Sequence, residues 1–214
     1  PEGRRARAVP RRSCVSADER AQTRSGWLAL VSLVGLVVLV FGRSLGFGFT
    51  NWDDPEQILN NPLVRHPFSR GLEGLAWTPP ATMGYAQPFT VLSHHLDFRL
   101  GAGRPWAFHL TNVVLHALNV SLVHSTLRAI LRERAHARWA AWLGAAFFAV
   151  HPLVAETVCW ATGRKDLLAV LFVLVGYRAH LALEERLEGS RAPVWAGLLF
   201  VSLIGALGSK PWGV

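Results

Sequence analysis

The chain has 214 residues, 51% of them apolar, and a mean hydropathy of +0.27. Its net charge is +8 and its pI near 10.9, but the arginines gather beside apolar runs instead of along one binding face, which excludes nucleic-acid binding as its main role. Two cysteines in unlike settings, Cys14 and Cys159, supply neither a disulfide framework nor a metal site.

The apolar residues are bunched into runs, as a bilayer requires: about 20 apolar residues cross its hydrocarbon core as a helix. A basic segment, 1–24, precedes the first run and reads as a disordered tail. Spans are expected over 25–42, 105–127, 139–155, 167–183 and 192–209. Trp27, Trp106, Trp139 and Trp195 stand near span ends, where amphipathic rings prefer to lie. The fold class is therefore an all-α membrane protein, a polytopic helical bundle. A cleaved signal peptide is the alternative for the first run; no small-x-small cleavage site follows it, and four more runs do. The start at Pro1 and the stop at Val214 read as a fragment.

Arginine placement sets the expected orientation. Seven arginines precede the first span, and Arg128, Arg132, Arg134 and Arg138 crowd the link between the second and third. The link between the fourth and fifth carries Arg186 and Arg191, with Arg178 leaning that way, and the other links are poorer in positive charge. The amino terminus is thus expected in the cytoplasm, with outer loops over 43–104 and 151–166, the first containing short helices.

That first outer loop opens FTNWDDPEQILNNP. Asp54 before Pro55 and Glu56 reads as a helix start, with a capping acid, proline at the first helical position and an acid in the first turn. Capping does not explain Asp53. Two adjacent carboxylates repel and can raise one pKa, which suits a general base or a pair of metal ligands. Further on, His94, His95 and Asp97 form a small polar group. Their spacing matches no standard zinc pattern, so no metal or other cofactor is assigned; the stretch reads as a helix on the membrane surface.

The second span carries His109, Asn112, His116 and Asn119 at spacings that share one helix face. Inter-helix hydrogen bonding is the plain reading. His109, near the outer end, is the better functional candidate, with Asn112 beside it. In the second outer loop, Pro152 stops the third span and leaves His151 at its end. Glu156 and Trp160 follow four apart. Arg164, Lys165 and Asp166 begin the fourth span, where Asp166 can cap the helix and the two cations suit a lipid phosphate. Lys210 closes the fifth span as a third cation over that pocket or as a snorkelling anchor.

Taken together, NWDDPEQILNNPLV, QPFTVLSHHLD, PWAFHLTNVVLHALN, FFAVHPLVAETVCWATGRKDLLAVLF and GSKP resemble the bacterial relatives of the TMTC proteins (transmembrane and tetratricopeptide-repeat containing), within the GT-C glycosyltransferase superfamily. The resemblance covers nearly everything but the basic tail. It implies a GT-C-like membrane domain followed by tetratricopeptide repeats, and transfer of a mannose-like sugar from a polyprenyl- or dolichyl-phosphate donor to a protein hydroxyl. The membrane would be the bacterial inner membrane, or the endoplasmic reticulum membrane in a eukaryote. It implies a catalytic base at Asp53 or Asp54, and a donor phosphate near His151, Arg164, Lys165 and Lys210, with Glu156, Asp166, His94, His95, Asp97, His109 and Asn112 in support. Gln87 and Trp212 depart from the family's usual residues. The alternatives are a non-catalytic anchor for repeats that bind partners, and a lipid-linked glycan transporter using the polar stripe as its path.

Overall fold

A computed structural model describes residues 17–69, 71, 86–184 and 191–210. Most of the basic tail, the middle of the first loop and Trp212 lie outside the described residues. Helix α1 is Ala17–Phe41, starting inside the segment assigned to the tail and running into a tight turn at Gly42–Gly46. A wide helical turn, Pro55–Leu59, and the single-turn α2, Pro62–Arg65, follow. Then come α3 (Pro88–Leu100), α4 (Pro105–Ile130), α5 (Ala137–Val150), α6 (Pro152–Cys159), α7 (Arg164–Glu184) and α8 (Ala192–Ser209). Prolines at the first position of five of these segments (Pro55, Pro62, Pro88, Pro105 and Pro152) fix where they begin. A first-turn N–H has no intrahelical partner, so its loss costs nothing there.

Among the described residues, four stretches are long and apolar enough to cross a membrane: Ser25–Gly46, Pro105–Ile130, Ala161–Glu184 and Ala192–Ser209. The chain is an all-α, multi-pass membrane protein. The third expected span is not one rod. Helices α5 and α6 meet at 56°, because Pro152 cannot donate to the preceding turn and its ring crowds it. The outward faces fit lipid: Leu39, Phe200 and Val201 are 81%, 63% and 58% exposed, which in water would form an oversized apolar patch.

One core joins Leu33, Val37 and Phe41 of α1 to Val113 and Val120 of α4, Ala145 and Ala149 of α5, and Leu167 of α7. A smaller core sits under the first loop, where Ile58, Val64, Ala107, Phe108 and Ala161 meet. Helix α8 lies close on α7 because Gly205 faces the Phe172 ring and Gly176 faces Ser202, small residues allowing close approach.

The polar stripe of α4 satisfies backbone groups left open at the bend. At the break, the Leu153 N–H turns to His151 Nδ1 at 3.3 Å, which frees the Ala149 carbonyl of α5. His116 Nε2 takes that carbonyl at 3.0 Å. Asn112 Nδ2 donates to the Trp160 carbonyl at the end of α6 at 2.7 Å, and Asn119 Nδ2 to Leu167 O of α7 at 3.0 Å. Buried carbonyls without partners are costly in lipid, so the stripe stitches the broken span to its neighbours.

Candidate functional site

Helices α1 and α8 end, and α4 and α7 begin, at the same end of the bundle. Both aspartates are carried there by the first loop. Asp54 is fully buried and does not cap the turn that follows it. Its backbone is already helical (φ −60°, ψ −40°) and its side chain makes no capping bond. Its Oδ2 instead accepts from Thr50 N (2.7 Å) and Thr50 Oγ1 (3.0 Å), and its Oδ1 accepts from Thr162 N (3.3 Å). The structural role expected of Asp54 exists, but it is to tie the first loop to the second.

Asp53 points differently. Its Oδ2 accepts from Gln57 Nε2 at 3.0 Å and lies 3.8 Å from Lys165 Nζ. The two side chains keep 22% and 13% of their exposure. Asp53 Oδ1 has no hydrogen bond among the described residues. A carboxylate oxygen and an ammonium thus share an accessible edge.

Residues 164, 165 and 166 form the first turn of α7, and successive side chains there diverge by about 100°. Lys165 faces Asp53. Asp166 pairs with Lys210 at the end of α8, both about one-third exposed; the helix begins two residues before Asp166, so it sits in the first turn and is not the cap. Arg164 turns inward and is fully buried. Its Nε donates to Asn112 Oδ1 (2.5 Å), Nη1 to Ser93 Oγ (3.2 Å), and Nη2 to Asp97 Oδ2 (2.6 Å) and Phe108 O (2.8 Å). Four of a guanidinium's five N–H groups are thereby committed. The outward phosphate contact expected of Arg164 meets a side chain that already holds α3 and α4 against α7.

Around this hub, Asp97 also accepts from Thr111 Oγ1 at 2.7 Å. His94 is buried with its ring 5.8 Å from that of Phe108. Burial, with the nearby Arg164 charge adding to it, holds the His94 pKa well below the ordinary histidine value, so the ring is neutral at pH 7. His109 is buried beside Phe47, with Asp54 within electrostatic reach.

The remaining candidates stand apart. His95 Nδ1 bonds Val64 O at 2.8 Å, holding α3 to α2. His151 stacks edge-on to Phe147 and accepts from Leu153 N, so it is the cap of α6 at the bend. Glu156 is exposed on α6. The expected His94, His95 and Asp97 group is split, each side chain bonding or packing in its own direction. Among the described residues no three His, Cys, Asp or Glu side chains converge as metal ligands.

Curated proteins similar to this chain share one description. It is 32% identical over 180 residues to the Drosophila melanogaster protein O-mannosyl-transferase Tmtc2, matching 81% of this chain and 19% of that protein. It is 31% identical over 206 residues to mouse protein O-mannosyl-transferase TMTC1 (89% and 21%) and 30% identical over 197 residues to human TMTC4 (83% and 26%). The chain is TMTC-like. It spans about a fifth to a quarter of the length of these relatives. No family model matches it, and no solved structure does.

Several residues at the TMTC-like site escaped the sequence reading. Gln57 follows Asp53 by four, and Thr50 precedes Asp54 by four. A spacing of four was the available signal, on one helical face for Asp53 and Gln57 and across the irregular stretch before the turn for Thr50 and Asp54. Thr162 and Ser93 had none, since their partners lie 108 and 71 positions away. Gly163 matters for space: a Cβ there would stand 2.3 Å from the Thr157 carbonyl oxygen, a backbone atom that cannot step aside. Gly163→Ala is expected to destabilise the protein by about 1–3 kcal/mol, as overpacking does, and to loosen the turn carrying Thr162 and Arg164. Thermal unfolding in detergent reads this; an unchanged melting temperature would count against it.

Proposed function

We propose that this TMTC-like chain forms part of a membrane glycosyltransferase. It would move a mannose-like sugar from a polyprenyl-phosphate donor to a protein hydroxyl, on the side of the membrane opposite the arginine-rich link. The observation that carries the reading is the accessible pairing of Asp53 with Lys165 at a bundle end where a lipid headgroup can reach both. The acceptor oxygen attacks the anomeric carbon with inversion, and its proton passes to Asp53 Oδ1. The bond from that carbon to the donor phosphate oxygen breaks, and the electron pair leaves with the lipid phosphate. Lys165 balances the charge that develops there, with Lys210 next to it through Asp166. Arg164 and Asp54 hold the two loops in register and touch neither reactant. Charge asymmetry supports the sidedness, and the relatives' names support the sugar and the acceptor class.

The experiment is donor binding by the purified full-length protein in nanodiscs. A polyprenyl-phosphate mannose is expected to bind and to be consumed. Lys165→Gln is expected to weaken binding about 10- to 100-fold, the worth of one hydrogen bond to a charged group, while thermal stability holds. Failure to bind or turn over any polyprenyl-phosphate sugar would favour the anchoring role instead. The transport reading finds no open polar path in the stripe, because His116, Asn119 and Asn112 are bonded to neighbouring backbone.

A further inference from the structure

The opposite end of the bundle carries a second feature, independent of the sugar chemistry. There α4 ends, the link 131–136 turns back and α5 begins against the first membrane turns of α1. Between them lies a cleft of ≈ 1120 Å³. Arg128, Arg132, Arg134 and Arg138 line it, together with Trp139 and Trp142. Its walls are fixed: Trp142 Nε1 donates to Ser32 Oγ at 3.0 Å, and Arg138 donates to Ser25 Oγ, so α5 is stapled to α1 at two levels. The link closes through His136 at φ 62°, a left-handed corner that histidine enters more readily than most residues.

The ionised side chains that line the cleft, among the described residues, are all arginines. Among the described residues no acidic side chain lines it. Glu133 pairs with Arg132 at 3.7 Å, but both are well exposed, and such surface pairs contribute little. Arg128 and Arg134 are exposed and have no acidic partner among the described residues. The rim is apolar: Leu28 and Trp139 line the cleft and are 63% and 68% exposed. Tryptophans at a span end lie at headgroup depth.

We propose that this cleft binds the headgroup of an anionic glycerophospholipid. Its phosphate sits among Arg128, Arg134 and Arg138, and its glycerol and upper acyl chain lie along Leu28 and Trp139. A free phosphate would use the arginines and gain nothing from the tryptophan rim. A phospholipid uses both, and basic pockets between membrane helices are suited to such headgroups.

The test equilibrates full-length protein in detergent with equal amounts of phosphatidylglycerol and phosphatidylcholine and reads the bound lipid by native mass spectrometry. Phosphatidylglycerol is expected to be retained preferentially. Arg128→Gln with Arg134→Gln is expected to cut that preference about 25-fold, at roughly fivefold per interfacial cation. Both positions are exposed, so folding should hold. Arg43→Gln with Arg99→Gln, which removes the same charge at the other end, is expected to leave the preference unchanged. Equal retention of the two lipids would overturn the proposal. So would an unchanged preference in the first double variant, or an equal fall in the second. Full displacement of the lipid by 10 mM inorganic phosphate would assign the cleft to a soluble anion instead.

Discussion

Replacing Asp53 with asparagine is expected to lower sugar transfer by about 10²–10⁴-fold, the usual worth of a general base, and to leave the protein folded. The substitution keeps the side chain's shape and an oxygen for Gln57. It removes the charge facing Lys165, but the pair is loose at 3.8 Å and both side chains keep some contact with solvent, so the loss should be small beside the catalytic effect. The loss should fall on kcat, with the KM for donor nearly unchanged, because proton acceptance belongs to the transition state and not to ground-state binding. Asp54→Asn is expected to behave in the opposite way. Its carboxylate accepts three hydrogen bonds, two of them from backbone N–H groups of Thr50 and Thr162. An amide would turn a donor toward one of those, leaving buried groups unsatisfied at a cost of about 1–3 kcal/mol. Melting temperatures measured beside initial rates separate the two. Normal transfer by Asp53→Asn, with Asp54→Asn silent at unchanged stability, would move the base to Asp54. Normal transfer by both would remove the aspartates from the chemistry.

How far these assignments could be read from the sequence depends on where each partner lies along the chain. The bilayer dictates long apolar runs, so the long helices were legible, and the run 192–209 coincides with α8. The α4 stripe was legible because helical period alone puts His109, Asn112, His116 and Asn119 on one face, and the last three make the inter-helix bonds. The bend at Pro152 was only half legible. A proline announces a break, but whether the helix resumes at an angle depends on what takes the freed Ala149 carbonyl, and that is His116, 33 positions away. Asp54 shows tertiary context overriding local propensity. Asp-Pro-Glu is good capping chemistry, yet the carboxylate turns back to Thr50 and across to Thr162. Arg164 was misplaced for a related reason. An arginine before an apolar run reads as an interface cation, and its burial is decided by Asp97, 67 positions earlier.

Arg164 gives the second large prediction, one of stability. Arg164→Ala is expected to cost about 3–5 kcal/mol, the range seen when one member of a buried ion pair is removed. The cause is chiefly what remains: Asp97, 2% exposed, would keep its charge with only Thr111 to satisfy it, and Asn112 Oδ1 and Phe108 O would lose their donor. Asp97→Ala should cost a similar amount by stranding the guanidinium. Arg164→Met with Asp97→Leu should cost clearly less than the sum, because it removes both charges and fills the space. Arg164→Lys should fall between, since a single ammonium cannot reach donors' partners spread around a planar fork on α3 and α4. These four variants, unfolded thermally in detergent beside the double Ala variant that closes the cycle of the two Ala singles, distinguish a hub from a phosphate ligand. A phosphate ligand would lose donor affinity in Arg164→Ala at unchanged stability, and its cycle with Asp97 would be additive. A hub loses stability first, and donor binding falls only as the two loops part, carrying Lys165 away from Asp53.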